Sequence, residues 1–414
     1  MKRRHWYKLD NTAKIMPSTT TYLNTNIFRL YCTLSEEVDK KVLQEALDKS
    51  LLEFPLFLYT MRDGLFWHYL EESNYKPKVK EETEPICSPI NQDFLIRVTY
   101  YKNRINLEVY HVLADGNGAM EFLKYLICTY LNKKYKLDID IPLNDSSVFE
   151  KEKDDFQTFD KSSFKISTSK VKRAYRVKLQ KKDNVHHDVI EIKFGVKDAK
   201  VAAKRYNVSL TAYLTAIFIK SIIDNAKVKD LKRPIGITLP VDLRKVFPSK
   251  TSRNFFYTIL VSYQPNETNE LSEIIDVVAR QMQEQLEKDN LQKKMDNYML
   301  IEKLLFIRMI PGFIKDFVLR FFAKMGKLGQ TSVFSNLGLV SIPDCYSKYI
   351  DEIGAISSTD DIQLLACSFK DVITLSFSSH FANKEIERTF LKYLKNDIST
   401  NIRIVSNVGS DIYE

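Results

Sequence analysis

Apolar residues follow two different spacings along the chain, and each spacing predicts a type of secondary structure. Alternation of apolar and polar residues is typical of a half-buried strand, whereas recurrence every three to four residues is typical of an amphipathic helix. In the first half these spacings predict strands at 26–34, 94–101 and 104–110. A helix is predicted from Ser35, whose hydroxyl can cap it, to Leu51.

The second half shows the same two spacings. They predict strands at 189–194, 235–239, 255–262, 333–340, 363–369 and 372–377, and helices at 209–222, 272–289 and 385–395. Short, hairpin-like connections between strands favour antiparallel pairing. We therefore predict an α+β fold in which each half forms a mixed, largely antiparallel sheet with helices.

A charged, serine-rich stretch with little periodicity separates the two halves. With 414 residues the chain is long enough for two domains, because single cores rarely grow beyond about 250 to 300 residues. We predict an N-terminal domain at 1–150, a linker at 151–184 and a C-terminal domain at 185–414.

The most apolar region, 298–324, is interrupted by charged residues and by Pro311. It therefore fails the requirement of about 20 uninterrupted apolar residues for a transmembrane helix. Two amphipathic helices joined at Pro311 fit the pattern better. Two interpretations stay open. The helices pack in the fold or line an apolar pocket, or they form a surface that contacts a membrane peripherally.

Composition and charge exclude several classes of protein. The chain has 44% hydrophobic and 28% charged residues and a net charge of +9, but its lysines are dispersed, so we expect no nucleic-acid binding. Five cysteines without CxxC spacing favour a reducing cytoplasm over a disulfide framework or a zinc site. The basic N-terminus is not followed by the apolar segment of a signal peptide, and no glycine-rich nucleotide motif is present.

The chain contains an internal repeat. INLEVYHVLADGNGAMEFLKYL (Ile105–Leu126) aligns without a gap with ITLSFSSHFANKEIERTFLKYL (Ile373–Leu394), and both copies predict a strand, a short loop and an amphipathic helix. The loops differ: the first copy has His111, Asp115 and Gly116 where the second has Ser379, Asn383 and Lys384. Both copies keep the scaffold, but only one keeps the ionisable pair.

His111 is the main candidate for chemistry. A histidine at the end of a strand, with a pKa near neutrality, is suited to act as a general base on a hydroxyl or amine. The alternative is a partly buried histidine that only bonds backbone. Asp115 either caps the next helix or orients the loop through an ion pair with a buried arginine. His186 and His187 point to opposite sides of an extended strand, so we expect no metal site.

The residues His111-Val-Leu-Ala-Asp115-Gly116 form an HxxxDG motif, and with it the chain resembles the chloramphenicol acetyltransferase-like superfamily of acyl-CoA-dependent acyltransferases. The segments TLPVDLRKVFPSKTSRNFF (Thr238–Phe256) and SVFSNLGLVSIP (Ser332–Pro343) resemble its alcohol acetyltransferase branch. The resemblance spans essentially the whole chain. It implies two similar domains that form a pseudo-dimer, with the motif histidine at their interface in a tunnel open to both faces.

The resemblance also implies roles for the motif residues. His111 is the expected general base, and Asp115 is expected to point away from the substrate. Arg244 is the expected partner of the Asp115 carboxylate. Gly116 is expected to support the loop by allowing a close approach of backbone.

Further residues are expected near the channel on the same grounds. Asn254, Ser335 and Asn336 are its expected lining, and the second domain is expected to cross over to the first near 331–343. Tyr110 stands where many condensation domains carry a first histidine, which favours free acyl-CoA as the donor.

The sequence thus predicts an acyltransferase that moves an acyl group, most simply acetyl, from acyl-CoA to an alcohol or lipid-like acceptor without a covalent acyl-enzyme. Acyl-CoA is a co-substrate, and neither a permanently bound cofactor nor a metal is expected. We expect a cytoplasmic monomer. One alternative takes the acyl group from an acyl carrier protein, as condensation-type enzymes do. Another is a non-catalytic lipid- or membrane-binding protein.

Overall fold

The computed structural model describes residues 5–90, 93–141, 146–159, 172–183, 186–302, 312–398 and 401–408. The strands are β1 (Trp6–Lys8), β2 (Ile27–Leu34), β3 (Tyr59–Arg62), β4 (Tyr69–Glu72), β5 (Lys80–Glu81), β6 (Ile96–Tyr101), β7 (Arg104–Tyr110), β8 (Asp188–Gly195), β9 (Ile235–Asp242), β10 (Phe256–Tyr263), β11 (Ser332–Val340), β12 (Ile350–Ser357), β13 (Ile362–Phe369), β14 (Val372–Ser379) and β15 (Arg403–Ser406). The helices are α1 (Met16–Thr19), α2 (Lys40–Glu53), α3 (Gly116–Tyr135), α4 (Val148–Glu152), α5 (Val196–Arg205), α6 (Leu210–Asp224), α7 (Leu271–Leu286), α8 (Lys288–Glu302), α9 (Gly312–Gly326), α10 (Asp344–Ser347) and α11 (Glu385–Asp397).

A five-stranded sheet forms the centre of the first half. Its strand order is β12-β2-β7-β6-β5, and every pair is antiparallel except β5 with β6. Helices α2 and α3 pack against each other, and α3 also contacts β2. The edge strand β12 comes from the second half of the chain, so a distant segment completes the first sheet.

A seven-stranded sheet forms the centre of the second half. Its strand order is β10-β9-β11-β13-β14-β8-β15, and only β11 runs parallel to its neighbours. Helix α6 packs against α5, α7 and α11 over this sheet. Each sheet has its own large apolar core. Two mixed, largely antiparallel sheets with helices confirm the predicted α+β class and the pseudo-dimer arrangement.

The internal repeat of the sequence is also a repeat of structure. The first copy is β7 followed by α3, and the second is β14 followed by α11. In both copies the helix buries the first and last residues of the shared FLKYL segment, which are Phe122 and Leu126 in α3 and Phe390 and Leu394 in α11. These matched residues are core residues, and the loop between strand and helix is free to differ.

Helix α2 begins one turn later than predicted. The carboxylate of Asp39 accepts hydrogen bonds from the backbone N–H groups of Lys41 (2.8 Å) and Val42 (3.1 Å) and caps the helix. Ser35 does not cap it, and its hydroxyl (3.3 Å) and backbone N–H (3.1 Å) both donate to the carbonyl oxygen of Tyr349. The predicted start at Ser35 was wrong, since a better cap follows four residues later.

The predicted crossover near 331–343 stays a prediction, and the end of that segment, Val340 and Ile342, is buried in the core of the first half. Most of that segment is β11, which lies in the seven-stranded sheet between β9 and β13. Ile342 and Tyr346, which follow β11, are buried in the core of the first half, and β12 then joins the first sheet. The chain therefore crosses between the end of β11 and the start of β12.

The predicted domain limits at 150 and 184 stay predictions. The described part of the predicted linker is partly buried: Phe156 and Phe159 pack with Leu243 and Phe255 in a small cluster. This stretch therefore contributes apolar contacts to the second half, although its composition is that of a connection.

The most apolar region, 298–324, overlaps the end of α8 and most of α9, while Pro311 lies outside the described residues. Helix α9 packs on α1 and on the short 3-10 helix Ala13–Ile15, which directly precedes α1. Within the described ranges no single helix has the length and hydropathy of a membrane span, although α5 and α6, bent by 78°, pass that test as a pair.

The two halves approach each other closely at Gly118. A Cβ atom there would lie 2.0 Å from the carbonyl oxygen of Ser252, which is far inside van der Waals contact with a rigid backbone group. We expect Gly118→Ala to lower the free energy of unfolding by about 2 kcal/mol or more, because the added methyl group forces α3 and the Ser252 backbone apart. Urea unfolding followed by circular dichroism measures this change.

Gly326→Ala is the matched control for this substitution. A Cβ atom at Gly326 meets no atom within 4 Å, so the same change at the end of α9 is expected to leave stability unchanged or to raise it slightly. Equal stability of the two variants would contradict the close packing of the halves at Gly118.

Candidate active site

His111 follows β7 directly and lies where the two halves meet. Its backbone N–H donates to the carbonyl oxygen of Asn26 (2.9 Å), which holds the residue at the end of the first sheet. The imidazole lies between the rings of Phe28 from the first half and Phe256 from the second, with ring centres 5.0 and 5.4 Å away. Rigid elements of both halves therefore set the position of the ring.

Asn254 of the second half fixes the tautomer of His111. Its side-chain NH2 group donates to the carboxylate of Asp10 (3.1 Å) and to the carbonyl oxygen of His111 (3.0 Å). The amide oxygen is therefore the group that lies 3.0 Å from Nδ1 of His111, and it can only accept a hydrogen bond. Nδ1 consequently carries the proton of the neutral ring, and Nε2 presents a lone pair.

Asp10 holds the side-chain amide of Asn254 in place. Its carboxylate is fully buried and also accepts a hydrogen bond from the backbone N–H of Ala13 (2.8 Å), while Arg253 lies 3.8 Å away. Burial raises the pKa of Asp10 to about 6, and the charge of Arg253 opposes that rise. No local pattern in the sequence indicates this residue, because 244 positions separate Asp10 from Asn254.

The surroundings of His111 keep its ring neutral. Burial lowers the pKa of His111 below its ordinary value of 6.5, because the imidazolium loses its hydration. The charge of Asp115 and the hydrogen bond to Asn254 oppose this effect without cancelling it. Of the two ring nitrogens, the described part of the chain hydrogen-bonds only Nδ1. Nε2 is thus the atom that can accept a proton near neutral pH.

Asp115 has both of the structural roles that its sequence position indicated. One carboxylate oxygen caps α3 by accepting from the backbone N–H of Gly118 (2.8 Å). The other accepts from Nη1 of Arg244 (2.8 Å) and from the backbone N–H of Phe255 (2.8 Å). The carboxylate therefore binds the start of a first-half helix to a segment of the second half.

Arg244 uses its remaining donors on the same segment. Its Nε donates to the carbonyl oxygen of Thr251 (3.0 Å), and its Nη2 donates to the carbonyl oxygen of Arg253 (2.6 Å). Its Nη1, which also bonds Asp115, donates to the carboxylate of Asp242 (3.0 Å). The guanidinium thus holds the loop between Leu243 and Asn254 in one conformation, which places Asn254 against His111.

The other predicted site residues lie on or beside β11. A Cβ atom at Gly116 would lie 2.7 Å from the end of the Leu337 side chain, so β11 closely approaches the motif loop. Asn336 donates to the hydroxyl of Thr211 (2.9 Å) and accepts from the backbone N–H of Gly338 (2.9 Å) at a bulge in β11. Within the described residues no hydrogen bond joins Ser335 or Asn336 to His111.

The second copy of the repeat has a different arrangement at the matching positions. Nζ of Lys384 lies 2.8 Å from the carboxylate of Asp188 and donates to the hydroxyl of Ser379 (3.3 Å). All three residues are buried. A lysine–aspartate ion pair thus occupies the place that corresponds to the histidine and its loop in the first copy.

The remaining candidates show structural contacts. Nε2 of His187 lies between the carbonyl oxygens of Leu23 (2.9 Å) and Thr359 (3.0 Å). In the part of the chain that the structure describes, no group of three His, Cys, Asp or Glu side chains could hold a metal ion. The hydroxyl of Tyr110 pairs with that of Thr20 (2.9 Å).

The buried Asp115–Arg244 pair predicts a large effect on stability. Asp115→Asn keeps the size of the side chain but leaves the Arg244 guanidinium without its principal counter-charge, so we expect a loss of about 3 kcal/mol in the free energy of unfolding. Urea unfolding of the variant measures it. The matched control is Glu385→Gln in the exposed Arg388–Glu385 pair, where a much smaller change is expected. Full stability with lost chemistry would instead give Asp115 a direct chemical role.

Comparison with known proteins gives structural relatives only. No family model matches the chain, and no curated protein matches its sequence. Polyketide synthase associated protein 5 from Mycobacterium tuberculosis superposes with a TM-score of 0.65 at 14% identity, over 96% of this chain and 98% of that chain. TRI101 of F. sporotrichioides, solved with coenzyme A and T-2, gives 0.65 at 11% identity, over 97% and 99%.

A condensation domain is similar to the same extent. The starter condensation domain of rhizomide synthetase RzmA, in a mutant solved with C8-CoA and Leu-SNAC, gives a TM-score of 0.63 at 11% identity, over 96% of this chain and 97% of that chain. These superpositions extend over both halves and agree with the two sheets, the two cores and the repeat described above. The chain therefore has the two-domain fold that these three structures share.

Proposed function

We propose that this protein is an acyltransferase that moves an acyl group, most simply acetyl, from acyl-CoA to the hydroxyl of an alcohol. The observation that carries the proposal is the hydrogen bonding of His111: Asn254 occupies Nδ1, and Nε2 keeps its lone pair. A neutral imidazole fixed in this tautomer is suited to take a proton from a hydroxyl group.

The reaction follows from the chemistry of a thioester. Nε2 of His111 accepts the proton of the acceptor hydroxyl while its oxygen attacks the thioester carbonyl carbon. The tetrahedral intermediate then collapses, the carbon–sulfur bond breaks, and the imidazolium returns its proton to the departing thiolate of coenzyme A. The products are an ester and free coenzyme A, and no covalent bond to the protein forms.

Asn254 and Asp10 support the base during this cycle. The amide oxygen of Asn254 accepts the Nδ1 proton both before and after Nε2 is protonated, so the ring keeps one orientation. The carboxylate of Asp10, one hydrogen bond away, holds the amide. Asp115 acts at a greater distance, because its oxygens are used by Gly118, Arg244 and Phe255.

The structural relatives support acyl-CoA as the donor. TRI101 was solved with coenzyme A, and the RzmA starter condensation domain with C8-CoA. Ser335 and Asn336 on β11 remain proposed channel residues. The cytoplasmic location and the monomeric state remain predictions from the sequence.

A carrier-protein donor is the second candidate, because condensation domains of peptide synthetases share the fold. The two candidates differ in the group that carries the acyl chain. Turnover of acetyl-CoA, with no gain from the same acyl group on a carrier protein, separates the first from the second. A non-catalytic lipid-binding protein would have no need of an unprotonated Nε2 fixed by Asn254.

Replacement of His111 tests the proposed base. We expect His111→Ala to lower the rate of thiol release from acetyl-CoA with an accepted alcohol by about 1,000-fold, because no other group takes the hydroxyl proton. A thiol-reactive dye measures the release across a panel of alcohols. The control is His5→Ala at an exposed histidine, which is expected to keep the full rate. An unchanged rate in His111→Ala would remove the role proposed for this residue.

The pH dependence of the same rate tests the role of Asn254. A general base works in its unprotonated form, so kcat/KM should rise with pH through the pKa of His111 and level off above it. Because burial lowers that pKa, the midpoint is expected below 6.5. Asn254→Ala removes a hydrogen bond that raises the pKa, so the midpoint is expected to move lower still while the plateau falls about tenfold. A midpoint that stays in place would show that Asn254 only fills space.

A further inference from the structure

Helix α9 presents an apolar face to solvent. Ile314, Phe317, Phe321 and Met325 follow one another at spacings of three and four residues and so lie on one side of the helix. These four residues are 44% to 72% exposed, and the adjacent Phe322 is 59% exposed. A surface helix of a globular protein ordinarily turns such a stripe toward the core. An exposed apolar face of this kind is typical of an interaction site.

Polar contacts beside the apolar face fix the direction in which α9 presents it. Nζ of Lys315 donates to the carbonyl oxygen of Phe66 (2.8 Å) and lies 3.6 Å from the centre of the Trp67 ring. Nε of Arg320 donates to the carbonyl oxygen of Ser18 (2.8 Å). These polar contacts set the rotation of the helix about its axis. The outward position of the four apolar residues is therefore a consequence of how the helix is held.

The charge beside the apolar face is positive. Arg320 and Lys324 lie along its flank, Lys327 follows the end of the helix, and all three are exposed. Asp316 is the only acidic residue in the sequence of α9, and its carboxylate lies 3.5 Å from Nε2 of His68. An apolar face flanked by basic residues is typical of helices that lie on anionic membranes.

We propose that α9 docks the protein on an anionic membrane surface. Phe317 and Phe321 enter the boundary between head groups and acyl chains, while Arg320 and Lys324 reach lipid phosphates. The helix has 15 residues and is about 22 Å long, which suits a helix that lies in the interface. A second copy of the chain fits this face less well, since a symmetric pair would bring the basic residues of both copies together.

The docking helix packs on a segment that is adjacent in sequence to Asp10, the residue that supports Asn254 and His111. It packs on the segment from Ala13 to Thr19. Asp10, which holds Asn254, precedes this segment, and Thr20, which pairs with the Tyr110 hydroxyl, follows it. The docking itself does not depend on the proposed acyl transfer, and it is measured without turnover.

Vesicle sedimentation tests the proposal. We expect the full chain to bind vesicles of phosphatidylcholine with roughly 30% phosphatidylserine and to bind pure phosphatidylcholine vesicles much less, because the basic flank requires anionic lipid. Binding to the anionic vesicles should weaken as salt rises from about 0.05 to about 0.5 M. The double variant Phe317→Glu/Phe321→Glu is expected to lower the fraction bound at least about tenfold.

Val201→Glu is the matched control, because it also places an acid at an exposed apolar position of a surface helix, here α5. It should bind as the unaltered chain does, and thermal unfolding should confirm that all variants fold. Equal binding by the double variant, or no binding by the unaltered chain, would overturn the proposal. So would a dimer of the unaltered chain that the double variant converts to a monomer in light scattering, since a second copy would then cover α9.

Discussion

The ion pair between Asp115 and Arg244 is the contact on which the candidate site depends. Asp115 starts a helix of the first half, and Arg244 organises a loop of the second half. The same carboxylate binds the backbone N–H of Phe255, which directly follows Asn254. The pair therefore determines where Asn254 lies, and through it which nitrogen of His111 carries a proton. Its influence on chemistry acts through position and through the charge of Asp115, which raises the pKa of His111 against the effect of burial.

Much of the fold could be predicted from spacing, and the exceptions have identifiable causes. The paired strands β6 and β7 alternate regularly and were predicted from that pattern, although the polar residues Asn106 and Glu108 are buried as well as the apolar ones. Strand β12 escaped prediction because its isoleucines, Ile350, Ile353 and Ile356, are three residues apart, which is a helical spacing. Its register with β2 shifts between Ile350 and Glu352, so the irregular pattern reflects an irregular strand.

The candidate site, like the fold, could be predicted only in part from local sequence. His111, Asp115 and Arg244 could be proposed from a motif and from a repeat in which one copy lacks the ionisable residues. Asp10 could not, because its role arises only when residues 244 positions apart meet. The glycine at position 118 indicates a close approach of backbone, but only the fold identifies the Ser252 carbonyl of the other half as the group that approaches. Local sequence carries helix caps and core patterns, whereas contacts between the halves require the fold.

The divergence of the two repeats explains why only one can provide a base. A buried position must satisfy its polar groups, and the second copy does so with the Lys384–Asp188 ion pair. That solution places a charged ammonium group, and not a neutral base, at the position that matches the motif loop. In the first copy the nearest charge is one residue removed from the imidazole: the neutral amide of Asn254 contacts His111, and the carboxylate of Asp10 contacts that amide. A carboxylate directly on Nδ1 would stabilise the imidazolium and raise the pKa of the base. An amide orients the ring equally well while burial keeps the pKa low, so the proton-accepting form of His111 is the one that the fold favours.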